Sequence, residues 1–253
     1  MADSGRNPRY KQNKQVNPIY KDWDKAVYMG NTYNFKVPKT EVKIPFDIRQ
    51  LTPIPNAGSY GYDNYDLGAN RAIQYMKDFP DASPWEAIGM AASEMKESGT
   101  NPTAMQGVLN PQIINKPTKK DLESPLGIGR LQISNARKKD FVNFVGKDPK
   151  KAVDPYYQTE FIRAERAGKI GTEKNKYAML KDAKNAADAG WLAAKYVIRP
   201  NTDPQHFIDR MENADSILSR LTLRNAQIER ERQLQASLQQ PSMWQQFLNY
   251  IIE

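Results

Sequence analysis

The stretch SPWEAIGMAASEMKESGTNP, residues 83–102, constrains the fold more than any other because both ends of one helix are written into it. Ser83 is a good N-cap, since its side-chain oxygen can accept a hydrogen bond from an amide of the first turn. Pro84 suits the first helical position, where its missing N–H costs nothing, and Glu86 stands three residues after the cap to close a capping box. Trp85, Ile88, Ala92 and Met95 recur at helical spacing as a narrow apolar stripe, while Gly99, Asn101 and Pro102 stop the helix. Glu97 therefore falls in the last turn.

A carboxylate in that turn faces the negative end of the helix dipole, and Glu94 lies three residues back with a like charge. Both disfavour the ionised form, so Glu97 is expected to hold its proton more tightly than an ordinary glutamate. A carboxyl group that keeps its proton near neutral pH can give it to a leaving oxygen, which is what general acid catalysis of glycoside cleavage requires. The helix by itself favours a solvated surface glutamate, because Glu97 points away from the apolar stripe.

Composition narrows the chemistry. With no cysteine in 253 residues there are no disulfides, thiol nucleophiles or thiolate metal sites. His206, the single histidine, leaves neither a His-based zinc site nor a Ser/His triad, so no metal is expected and carboxylates remain as the catalytic groups. A hydrophobic fraction of 39% and a mean hydropathy of -0.77 allow one modest core plus extended chain. No apolar run is long enough to span a bilayer, and the beginning MADSGRNPRYKQ has no apolar region of a secretory signal.

The formal charge of +8 favours anionic partners: nucleic acid, acidic wall polymers or membrane surfaces. Lysines and arginines are scattered and partly balanced by acids, which argues against sequence-specific DNA binding and leaves nonspecific binding open.

Residues 1–70 read as an arm in which basic residues alternate with Tyr10, Tyr20, Trp23, Tyr28, Tyr33 and Phe35, broken by prolines. Residues 40–48 alternate enough for an edge strand, but the prolines and the GSYGYDNY segment argue for extended, turn-rich chain. The aromatic content favours an arm that docks on something over a loose leader, and stacking on bases or sugars is a weaker alternative. Residues 71–222 read as a helical domain. Its helices are expected over 70–78, 84–98, 135–145, 154–167 and 174–197, the last broken near Gly190, with a further one from Pro204 past Arg220. A long surface loop is expected over 101–125. Residues 223–253 read as an exposed or contact helix, then a tail whose Met243, Trp244, Phe247, Leu248, Ile251 and Ile252 form an amphipathic patch suited to a groove of a partner or of this chain. The segment from Gly127 to Ile133, GIGRLQI, has neither the pattern of a dinucleotide loop nor a Walker lysine, so no cofactor is expected.

Glu97-Ser-Gly-Thr-Asn-Pro102, followed after a loop by Gly127-Ile-Gly-Arg-Leu-Gln-Ile133, resembles the lysozyme-like superfamily, closest to its phage tail lysozyme and lytic transglycosylase branches. The resemblance runs more loosely through residues 137–144 and 186–200. It implies a mainly α, lysozyme-like domain acting on the MurNAc-GlcNAc backbone of peptidoglycan. It makes Glu97 the catalytic acid/base, with Gln132 and the Gly127 to Gly129 backbone lining the sugar cleft. Ile133 stands where the phage tail group carries tryptophan, as the transglycosylase pattern allows. Asp121 and Glu123 are the candidates for a second carboxylate, which hydrolysis needs at a defined separation and a lytic transglycosylase does not. The implied setting is a phage virion component, in the tail or ejected with the genome. Its neighbours would be gripped through the arm and the tail, as a homo-oligomer or within a larger assembly.

Overall fold

The computed structural model describes residues 28–29, 32–33, 40–61, 63–105, 112–113, 117–171, 174–198 and 204–239. The chain is mainly helical. A short antiparallel hairpin pairs β1 (Tyr28–Met29) with β2 (Thr32–Tyr33), and a turn of 3₁₀ helix follows at Ile48–Gln50. Next come α1 (Tyr65–Asp78) and α2 (Pro84–Ser98). A second hairpin of β3 (Ala104–Met105) and β4 (Gln112–Ile113) leads to α3 (Lys119–Glu123). The helices α4 (Asn135–Phe144), α5 (Pro149–Val153), α6 (Pro155–Arg166), α7 (Lys174–Met179) and α8 (Ala186–Leu192) follow, α8 running on as a π-helix over Ala193–Ile198. The last described element is α9 (Pro204–Gln239), 36 residues long. Among the described residues no helix is long and apolar enough to cross a membrane.

The central helix is α2. Its start is as its sequence dictates: Ser83 accepts from the Glu86 amide at 3.0 Å, and Pro84 takes the first position. The expected stripe is too narrow, because Glu86, Ala87, Ile88, Gly89, Met90, Ala91, Ala92, Ser93, Glu94 and Met95 are all buried. α1, α8 and α9 pack round it, and a helix enclosed in this way buries its whole circumference. Nor does Glu86 close a capping box. Its carboxylate turns inward, accepts from the Tyr75 hydroxyl at 3.0 Å and pairs with Arg166 at 2.8 Å.

Close approach of backbones holds this layer. Gly190 lies inside α8, and a Cβ built there would stand 2.4 Å from the Arg210 carbonyl of α9. The glycine expected to break a helix is thus the crossing point of two. The break falls earlier, at a 3₁₀ turn over Leu180–Asp182, and α8 starts afresh from Asn185, whose side chain accepts from the Asp188 amide. On α9 the inward face is Ala214, Ile217, Leu221 and Ile228, each large aliphatic side chain contributing about 1.5–3 kcal/mol by leaving water.

Other expectations are corrected by the same packing. α1 starts at Tyr65, capped by Asn64 through the Leu67 amide, rather than at residue 70, because the turn-like GYDNY ends in a cap. Residues 40–48, by contrast, run as the extended chain that the prolines argue for and form no edge strand. They lie along the helical body with Val42 N–H on the Lys184 carbonyl and Ile48 buried. The 101–125 loop contains β3, β4 and α3, elements too short for periodicity to reveal. The expected helices at 135–145 and 154–167 are present as α4 and α6. The patch of Met243 to Ile252 and most of the arm's aromatic residues lie outside the described residues.

Candidate active site

Gly99 ends α2 in the left-handed conformation with φ 61°, and its N–H returns to the Met95 carbonyl, which leaves Glu97 in the last turn. Thr100 is also left-handed, and Asn101 accepts from the Thr103 amide at 2.9 Å and hydroxyl at 2.8 Å. The ESGTNP segment is thus a rigid turn with Glu97 at its entrance. The neighbouring Ser98 donates its hydroxyl to the Arg130 carbonyl at 2.8 Å, which ties the end of α2 to the Gly127 to Gln132 loop.

That loop folds back on itself. Ile128 and Ile133 exchange both backbone hydrogen bonds, and the Gly129 amide donates to the Ala104 carbonyl of β3 at 2.9 Å. Gly127 and Gly129 are buried. Gly129 has φ +80°, and a Cβ there would lie 2.7 Å from the Gln158 amide, so only glycine fits. Gln132 donates to the carbonyls of Gly129 at 2.8 Å and Ala104 at 3.2 Å, while its own side-chain oxygen is buried without a partner among the described residues.

Gln158 of α6, buried, holds the two motifs together. Its amide nitrogen donates to the carbonyls of Pro102 at 2.8 Å and Ala152 at 2.9 Å, and its oxygen accepts from the Arg130 amide at 3.1 Å. The sequence reading passed it over. Its signal was a glutamine on the face of α6 that buries Phe161 and Ile162.

Glu94 and Glu97, three residues apart, lie in different surroundings. Glu94 is fully buried, 2.6 Å from Arg71 of α1 and 4.0 Å from Arg130. Burial, with Arg71 adding to it, pushes the Arg130 guanidinium down to about 10 against the pull of Glu94. Arg130 also donates to the Thr159 hydroxyl at 2.9 Å and the Pro155 carbonyl at 3.2 Å. The charge of Glu94 is therefore matched inside the protein.

Glu97 keeps a side-chain exposure of 21% and meets the Arg210 guanidinium, itself 0% exposed. Beside it, Lys96 pairs with Asp209. Arg210 was not read from the sequence. Its trace there is a cation in an apolar period, one turn before Ala214 and two before Ile217.

The two other carboxylates serve different places. Asp121 caps α3, its Oδ2 accepting from the Thr118 amide at 2.7 Å and hydroxyl at 2.8 Å, and Glu123 is exposed. Among the described residues neither is bonded to Glu97. α3 is stapled to α4 by the buried Lys138, whose ammonium donates to the carbonyls of Asp121, Ser124 and Leu126. Burial lowers the Lys138 ammonium below its ordinary value, with Asp121 opposing. The arrangement thus offers one partly open carboxylate in the last turn of α2, a helix end that Ser98 ties to a loop of backbone and amide groups.

The family model of the phage tail lysozyme matches residues 68–221, more than half of the chain, and its span holds Glu97, the Gly127 to Gln132 loop, Gln158 and Arg210. No curated protein and no solved structure matches the chain.

Proposed function

The chain belongs to the phage tail lysozyme family, whose substrate is by implication peptidoglycan, and from this we propose that it cleaves the MurNAc-GlcNAc backbone with Glu97 as general acid and then base. The carboxyl group protonates the glycosidic oxygen. The resulting carboxylate then takes a proton from water, giving a reducing end, or from the sugar's own hydroxyl, giving an anhydro end. The observation that supports the reading is the tie between the two motifs: Ser98 binds the end of α2, and Gln158 the turn after it, to the Gly127 to Gln132 loop. Gln132, which braces the loop by donating to the Gly129 and Ala104 carbonyls, and the Gly127 and Gly129 backbone would shape one wall of the cleft. Asp121 or Glu123 would matter only for the hydrolytic route. The setting we propose is a virion component that opens the wall during genome ejection, acting in the periplasm or wall and gripping other virion proteins or further copies of itself through the arm and tail.

A second reading, a virion protein whose lysozyme-like domain is a scaffold, draws on the pairing of Glu97 with Arg210, since a carboxylate matched by a buried cation also serves as a plain structural link. Digestion of purified peptidoglycan by wild type and Glu97→Gln, with mass spectrometry of the soluble muropeptides, separates the two. We expect wild type to release muropeptides and Glu97→Gln to release none while costing about 1 kcal/mol of stability, because Arg210 keeps only a neutral acceptor. Anhydro ends mean transglycosylation, and reducing ends direct the next test to Asp121 and Glu123. A folded wild type that releases nothing beside a working control favours the scaffold.

A further inference from the structure

Arg210 stands where the inward stripe of α9 calls for an apolar side chain. One amino group of its guanidinium donates to the His206 carbonyl one turn back, the other to Oε1 of Glu97. Its Nε has no hydrogen-bond partner among the described residues. Burial pushes the guanidinium below its ordinary value, and Glu97 and Asp209 oppose that. A packed aliphatic side chain would avoid this desolvation and is often neutral or stabilising in place of a buried pair. A cation at this position thus has a use other than stability, and the carboxylate it meets is Glu97.

We propose that Arg210 is a positioning residue for Glu97, fixing the carboxyl group at the seam of α2 and α9 and matching the negative charge left on it when its proton goes to the glycosidic oxygen. This rests on the reading of Glu97 given above. In the step, the O–H bond of the Glu97 carboxyl breaks, a new O–H bond forms on the leaving oxygen, and the C1–O electron pair departs with that oxygen. The carboxylate remains facing Arg210. It then accepts the proton of the hydroxyl that adds to C1, which restores the starting acid.

A fixed guanidinium holds the carboxyl group in one orientation and matches the charge left on it, so removing it slows the chemical step more than it weakens substrate binding. The other charges recorded around Glu97 are Lys96 on α2, paired with Asp209 of α9, and Glu94 one turn back, turned inward on Arg71 of α1 and near Arg130 of the loop. His206 of α9 is met through its carbonyl.

The test compares wild type, Glu97→Gln, Arg210→Gln and Arg210→Lys on soluble, uncross-linked peptidoglycan glycan strands, with folding checked by circular dichroism and thermal melting. Arg210→Gln should lose about tenfold in kcat at little change in KM. Arg210→Lys keeps the charge but not the two-armed fork, so it recovers part of that loss and kcat stays several-fold below wild type. A folded Arg210→Gln with the wild-type kcat, or one whose loss lies in KM alone, overturns the proposal. Should that variant fail to fold, Arg210→Lys decides: an unchanged kcat overturns it. An inactive wild type, or Glu97→Gln at the wild-type rate, removes the reading of Glu97 as well, whereas an inactive Glu97→Gln beside unaltered Arg210 variants removes only the role of Arg210.

Discussion

Glu86 shows how far one buried carboxylate alters the response of the molecule to pH. Burial raises its carboxyl above the ordinary glutamate value, with Arg166 and the Tyr75 hydroxyl opposing. The folded state therefore holds that proton more tightly than the unfolded chain. The resulting stability is full below the ordinary value and is lost as pH rises through the raised one. The stability difference between wild type and Glu86→Gln should accordingly move in favour of the variant from about pH 4 to about pH 7. Urea melts of both proteins at the two pH values measure this, and a constant difference would contradict it. At the same scale, what the sequence made legible was local. Ser83, Pro84 and Gly99 act on amides within a few residues, and all three do what their chemistry requires. Gln158 and Arg210 were passed over because their partners lie far along the chain, Pro102 for one and Glu97 for the other. A polar side chain in an apolar period is their only local trace. Glu94 met the same limit, since its partner Arg71 lies 23 residues back on α1.

Among the elements, α8 and α9 are the pair that a small change would separate most readily. The nearest atoms to a Cβ at Gly190 belong to the backbone of Arg210 and Met211, which cannot swing aside as a side-chain tip does. Alanine at this position gains up to about 1 kcal/mol in helix propensity. Overpacking costs about 1–3 kcal/mol, and with backbone on both sides it should prevail. Gly190→Ala is therefore expected to lower the melting temperature and, on the roles proposed for Glu97 and Arg210, to lower wall cleavage beyond what unfolding explains because Arg210 is carried with the displaced turn. Melting curves and activity well below the transition report the two effects, and a variant as stable as wild type would refute the first. Long helices were legible from period and cap, whereas β3, β4, α3 and α5 were not, since two to five residues are too few to display a period.

At the scale of the whole molecule the net charge of +8 has an uneven expression. Lys119 and Lys120 of α3, Lys139 of α4, Lys147 of the link that follows and Lys150 of α5 are all exposed, with α3 packed on α5 and tied to α4 through Lys138. Tyr156 is exposed nearby, edge-on to Tyr157, which Lys151 overlies at 5.2 Å. If the substrate is the acidic wall, replacing Lys119, Lys120, Lys147 and Lys150 by glutamine should weaken retention on purified sacculi at low salt. The loss should disappear at high salt, where exposed charges more than about 3 Å apart are screened. Co-sedimentation over a salt series tests this, and equal retention at low salt would exclude the role.

The length of α9 has a mechanical consequence. At about 1.5 Å per residue its 36 residues make a rod of about 54 Å, clamped against the body as far as Ile228 and bare from Glu229 to Gln239. The clamped part includes Arg210, so the strut that touches the glutamate is the same one that reaches beyond the domain. A pull or twist applied to the bare end is resisted by the grip of Ile217, Leu221 and Ile228, by the pair of Arg220 with Asp66 and by Arg224 on Thr52. Load on the rod and the setting of the carboxyl group are thus two ends of a single lever.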